Sequence, residues 1–175
     1  MTTRVLIRAL AAMATAAAPE VVHAQRPLAP PIPASGDRVR SQDEAQVVAT
    51  IRALFDAAER VDLAALDTIY AGDSLTIIEG AGINRTWADY RDHHLVPEMK
   101  EFKNIRYRPS EIEPHVAGDV AWAIFRYTLE ADVNGRQADV VGRGTAVLER
   151  RGARWVVRHT HTSGRARRPS DASGA

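Results

Sequence analysis

Cysteine is absent from the 175 residues. That removes disulfide scaffolds, thiol nucleophiles, iron–sulfur clusters and cysteine-ligated zinc together. Lysine is nearly absent as well: Lys100 and Lys103 stand alone among basic residues that are otherwise arginine, a usage that suits a GC-rich bacterial genome. No apolar run reaches the roughly 18 residues that span a bilayer, so no membrane span is expected. Excess charge is missing too, the formal net charge being +1. A dedicated nucleic-acid binder needs a basic face, and that class is set aside. What remains is 45% hydrophobic and long enough for one domain with a real core.

Residues 1–24 read as a secretory leader. Arg4 and Arg8 precede the small apolar stretch Leu10 to Ala18, Pro19 breaks it, and Val22-His23-Ala24 has the residue sizes a signal peptidase reads. Cleavage is expected before Gln25, giving a periplasmic or secreted protein in which acidic and basic residues balance. Residues 25–40 carry Pro27, Pro30, Pro31 and Pro33 and read as an extended linker. Residues 164–175 lack an apolar anchor and are expected to be a disordered tail. The folded part is then 41–163.

Within it, Ser41-Gln42-Asp43-Glu44 has capping-box spacing, and Val47, Val48, Ile51, Leu54, Phe55 and Ala58 follow as one helical stripe. Asp62 can cap a second short helix. Leu75 to Ile78 reads as a strand. Thr86-Trp87-Ala88-Asp89 opens a third helix, which Pro97 should kink or restart. Four β-prone runs follow: Ile105 to Ile112, Val120 to Ala131, Gln137 to Leu148 and Arg154 to Ser163. Helices first and an antiparallel meander after make an α+β domain.

Asn134-Gly135 is a strong two-residue hairpin signal. It sets Phe125 opposite Gly144, Tyr127 opposite Gly142 and Leu129 opposite Val140. A second two-residue turn at Arg151-Gly152 sets Leu148 opposite Trp155, Gly144 opposite His159 and Gly142 opposite His161. Alternation then gathers Phe125, Tyr127, Leu129, Gly142, Gly144, Val157, His159 and His161 on one mostly apolar face, which should pack on the helices. Two glycines between aromatic and histidine strands suggest an empty space. A hollow lined by apolar groups, two imidazoles and a phenol is a small-molecule site. The competing reading is that the glycines only curve the sheet and the histidines are hydrogen-bonded core residues.

The element order, the Trp87-x-x-Tyr90-x-x-His93-His94 helix and the ending Gly144-Thr145-Ala146-Val147-Leu148 … Trp155-Val156-Val157-Arg158-His159-Thr160-His161-Thr162-Ser163 resemble the nuclear transport factor 2-like superfamily, in its SnoaL-like and ketosteroid-isomerase-like branch. The resemblance covers about 41–163. It implies a strongly curved sheet wrapped around N-terminal helices as a cone with an internal cavity, often dimeric through the sheet. The superfamily includes isomerases, cyclases, dehydratases, binding modules and oligomerisation domains, so activity must come from the site. The aspartate–tyrosine–aspartic acid pattern of ketosteroid isomerases finds no match, because no aspartate falls on the inner face and Asp139 points outward.

Three readings of the site stay open. Acid–base catalysis on a small, partly apolar ligand would use His161 as base or acid, with His159 and Tyr127 positioning and His94 at the mouth; Trp87 and Tyr90 would help line the cavity. A non-catalytic periplasmic binding or oligomerisation module would use the same residues as contacts. A metal site would join His159 and His161 to His93, His94 or Glu98. Neighbouring His93 and His94 point about 100° apart on a helix, so one at most faces inward. No organic cofactor is implied. His115 reads as solvated, and Glu79 and Asp92, though within reach of the mouth, read first as surface residues. Val120, Trp122, Ile124, Val147 and Val156 fall on the polar outer face, and a second subunit is expected to cover them.

Overall fold

The computed structural model describes residues 35–70 and 74–173. The leader and residues 25–34 of the proline-rich linker lie outside the described residues, and residues 35–40 of that linker are helical rather than extended. Helix α1 (Ser35–Glu59) and helix α2 (Leu63–Ile69) come first, followed by the short strands β1 (Thr76–Glu79) and β2 (Gly82–Asn84). A helical segment then runs through α3 (Trp87–Tyr90), a π-helical turn (Arg91–Leu95) and α4 (Val96–Glu101). Four long strands complete the order: β3 (Phe102–Ala117), β4 (Val120–Val133), β5 (Arg136–Arg151) and β6 (Arg154–Ala166). They form one six-stranded sheet, ordered β2-β1-β6-β5-β4-β3. Its pairs are antiparallel except β1 with β6, which run parallel. This is the expected α+β arrangement, a sheet curled over its helices.

Helix α1 is the pillar. Val47, Ile51, Leu54 and Phe55 are buried at helical spacing, and the helix packs on β3, β4 and β6. It begins six residues before the capping box, so Ser41 to Glu44 lie inside it. Asp43 instead holds Arg150 of β5, whose guanidinium carbon sits 4.4 Å over the Trp155 ring. The helix ends at Val61, whose N–H donates to the Ala58 carbonyl while the Asp62 N–H donates to that of Ala57. This pair of bonds needs a left-handed residue between them, and Val61 supplies it at φ 58°. Asp62 then caps α2 by accepting from the Ala65 N–H at 3.0 Å, as expected.

The third helix starts where Thr86 accepts from the Asp89 N–H. Pro97 marks the restart expected there. Ahead of the proline the ladder widens, the Val96 N–H reaching back to the Arg91 carbonyl, and the helix resumes with proline in its first turn, where no N–H is needed.

The β4–β5 hairpin pairs as the Asn134-Gly135 turn predicts, with Val133 opposite Arg136, Phe125 opposite Gly144 and Tyr127 opposite Gly142. Both turn residues have positive φ, the requirement of a type I′ turn. The next hairpin corrects the expectation twice. Its turn is Gly152-Ala153, with Arg151 opposite Arg154; this two-position offset keeps Trp155 and Val157 on the helix side. Then Leu148 faces Val157 while Val147 faces His159, so β6 carries one extra residue, Arg158, at a register shift. One extra residue turns every later side chain over. Gly144 therefore faces Thr162, not His159, and Gly142 faces Gly164, not His161. Residues 164–173 of the expected tail are structured: β6 continues to Ala166, and Arg165 grips Asp171 through two bonds of 2.7 and 2.8 Å.

A valine in the left-handed region carries a penalty of about 1–2 kcal/mol that glycine avoids, and Val61 is 42% exposed. Val61→Gly is expected to stabilise the protein by about 1 kcal/mol in urea unfolding at unchanged m-value. Destabilisation would contradict the left-handed assignment.

Candidate functional site

The cavity lies between the helices and the inner sheet face and measures about 110 Å³. Helix α1 supplies Leu54 and Phe55, β3 supplies Ile105 and Tyr107, and β4 supplies Phe125 and Leu129. Tyr70 and Ile77 close it beside β1, and Thr160 and Thr162 of β6 replace the histidines expected there. Three polar groups stand out against this wall: Glu79 at the end of β1, Tyr90, and Glu98 of α4.

These groups meet at His94. Its Nε2 lies 3.3 Å from Glu79 Oε2 and 3.3 Å from Glu98 Oε1. The atom is buried and forms a hydrogen bond with neither oxygen, so it sits between two acceptors without being committed to one. The Tyr90 hydroxyl donates to Glu79 Oε2 at 3.0 Å, and the Tyr90 ring stacks on the imidazole with centroids 5.1 Å apart. Tyr90, His94 and Glu98 recur at spacing four, which holds them in one column on the helix. His93, rotated away, is exposed and pairs with Asp89.

Electrostatics separate donors from acceptors. Burial pushes the Glu98 carboxyl up from its ordinary value; His94 opposes the shift, while Glu79 and Glu101 add to it. Burial, then the charge of Glu79, holds the Tyr90 and Tyr107 phenols well above their usual range. Tyr70 moves the same way by burial, against a hydrogen bond from Thr160. All three phenols keep their protons near neutral pH.

The sequence-predicted residues divide. Phe125, Leu129 and Tyr90 line the cavity, and His94 stands at its polar end. Trp87 is buried behind the wall, stacked on Tyr70 with its indole N–H on Asp67, and Val157 is core. Tyr127 is buried outside the cavity lining, its ring lying across Gly142: a Cβ there would meet its Cζ at 2.1 Å. Phe125 covers Gly144 in the same way, at 2.6 Å. The supposed empty space at the glycines is therefore filled by the facing rings, and the open volume lies beneath them.

His159 and His161 are corrected. Paired with Val147 and Thr145, they sit on the outer face, and His161 is exposed. They are thus separated from His94, and among the described residues no three or more His, Asp or Glu side chains are arranged to hold a metal ion. The metal set of His94, His159 and His161 is not assembled. Glu79 and Glu98, assigned first to the surface and to that metal set, carry the polar end instead. Tyr107 was not foreseen; its alternation with Ile105 was the available signal.

The sequence signature of the SnoaL-like domain matches residues 47–166. No curated protein is similar in sequence. Solved structures share the fold. A candidate ketosteroid isomerase from Shewanella frigidimarina is 23% identical over 65% of this chain and 91% of its own, with a TM-score of 0.59. A candidate dehydratase of the nuclear transport factor 2-like family from Streptomyces avermitilis is 18% identical over 73% and 99%, with a TM-score of 0.64. A cystatin-like-fold protein from Caulobacter vibrioides is 20% identical over 74% and 92%, with a TM-score of 0.60.

The raised Glu98 carboxyl has a consequence for stability. A group whose folded pKa exceeds its unfolded value stabilises below the unfolded value, and that gain is lost as pH rises through the folded one. Glu98→Gln is therefore expected to raise Tm at pH 7, and the difference from wild type should vanish near about pH 4. A lower Tm for the variant at both pH values would contradict the raised Glu98 carboxyl.

Proposed function

The chain belongs to the SnoaL-like domain family, and from that premise we propose that it captures a small, partly apolar organic molecule and moves a proton to or from it. The supporting observation is the convergence of Glu79, Glu98 and Tyr90 on His94 at one end of an otherwise apolar cavity. Pockets of this composition orient a ligand with a few polar groups while its body is buried in hydrocarbon. Glu98, held toward its neutral form, is the proton donor, and Glu79, fixed by the Tyr90 hydroxyl, is the acceptor. His94 lies between them and can pass a proton from one to the other. Such an acid–base pair suits isomerase, cyclase or dehydratase chemistry, and two structural neighbours carry names of the first and last types. His159 and His161 have no part in this reading.

The N-terminal leader supports export to the periplasm or beyond. The outer sheet face supports a homodimer: Val120, Trp122 and Ile124 remain 45–47% exposed, and His115 stacks on Trp122. Val156 is already buried within the subunit and drops out of that contact.

Native mass spectrometry of the secreted protein should show an organic molecule retained one to one. Extracted and returned to the protein in deuterated water, this compound should gain deuterium with wild type and with His161→Ala, and at least 100-fold more slowly with Glu79→Gln. Retention without exchange in wild type would leave a carrier and overturn catalysis. Dependence on His161 would overturn the residue assignment. For the assembly, sedimentation velocity at micromolar concentration should show a dimer that Trp122→Glu converts to monomer; a monomeric wild type contradicts it.

A further inference from the structure

We infer that the ligand of this cavity is a small organic cation, a protonated amine on an apolar body about the size of a single ring. The inference rests on the cavity being a ligand site and adds the charge of what enters it. The walls hold two carboxylates, Glu79 and Glu98, and contain neither lysine nor arginine. His94 contacts both acidic groups and sits between them. The other lining residues with polar side chains carry hydroxyls: Tyr70, Tyr90, Tyr107, Thr160 and Thr162.

Each class of ligand meets this wall differently. An anion would bring like charge against Glu79, and against Glu98 whenever it is ionised, at the polar end of the cavity. A neutral molecule would displace water from the Glu79 carboxylate and give it no counter-charge in return. A cation pairs with that carboxylate and also finds aromatic rings: Phe55, Tyr107 and Phe125 approach one another, with Phe55 centroids 4.3 Å from Tyr107 and 5.4 Å from Phe125. Ring faces attract a cation, and the attraction grows as water is excluded. The volume of about 110 Å³ is smaller than the roughly 150 Å³ cavity known to hold benzene, so the body is compact.

Benzylamine, benzyl alcohol and benzoate have nearly the same shape and differ in charge. Titrated into the full secreted chain at neutral pH and low salt, benzylamine should bind at least tenfold more tightly than benzyl alcohol. Benzoate should bind most weakly. The ring protons of Tyr107 and Phe125 should shift in the NMR spectrum as benzylamine is added. In the folded Glu79→Gln, Glu98→Gln double variant the preference for benzylamine over benzyl alcohol should fall below twofold, with benzyl alcohol binding retained. Equal or tighter binding of benzyl alcohol or benzoate by wild type would overturn the charge inference while leaving the cavity as a ligand site. If none of the three shifts the Tyr107 and Phe125 resonances, the cavity reading fails with it.

Discussion

Arg158 is one extra residue on β6 where the β5–β6 register shifts, and it decides which side chains of the last strand face the helices. Before it, Val157 packs in the core; after it, Thr160 and Thr162 point into the cavity while His159 and His161 point away. The bulge is held on its outer side by a contact of 3.1 Å from the Arg158 guanidinium to Glu149. It also sets what the parallel neighbour β1 meets, since Ile77 lies beside Thr160 and Glu79 beside Thr162. Small hydroxyl residues leave room where two imidazoles would fill it, and Glu79 then stands at the cavity rather than behind a histidine.

A second constraint acts from the neighbouring strands on the same face of the sheet. Phe125 and Tyr127 lie across Gly144 and Gly142, so aromatic surface covers the backbone that glycine leaves bare. Phe125 thereby presents an edge to Phe55, the two rings standing at 84°. The glycines thus shape the cavity roof by admitting rings, not by being vacant. Substituting either one would drive a Cβ into a ring with nowhere to move, which is why the two positions behave as core.

Much of this was legible before any coordinates. Asn134-Gly135 is a turn with one good solution, so the β4–β5 register followed from it, and the apolar stripe of α1 left little choice about its buried face. The β6 orientation was not legible, for a physical reason. His159-Thr160-His161-Thr162 alternates two residue types that suit either face, so a slip or bulge leaves the hydropathy pattern unchanged. No local signal marks Arg158 as the extra residue, and the alternation ahead of it, Trp155 and Val157, pointed smoothly in the wrong direction. The polar cluster was half visible: Tyr90, His94 and Glu98 share helical spacing, but Glu79 joins them through the parallel β1–β6 pairing, a contact between residues far apart in the chain. The start of α1 and the ordered end of β6 were hidden by proline and arginine content, which describes a solvated segment as well as it describes a strand held by Arg165 and Asp171.

The bulge can be read directly in solution. Cross-strand proton–proton nuclear Overhauser effects in the labelled protein should connect Thr145 with His161 and Ala146 with Thr160. Effects joining Gly144 to His159 and Gly142 to His161 would return the imidazoles to the helix side and remove the cavity described above.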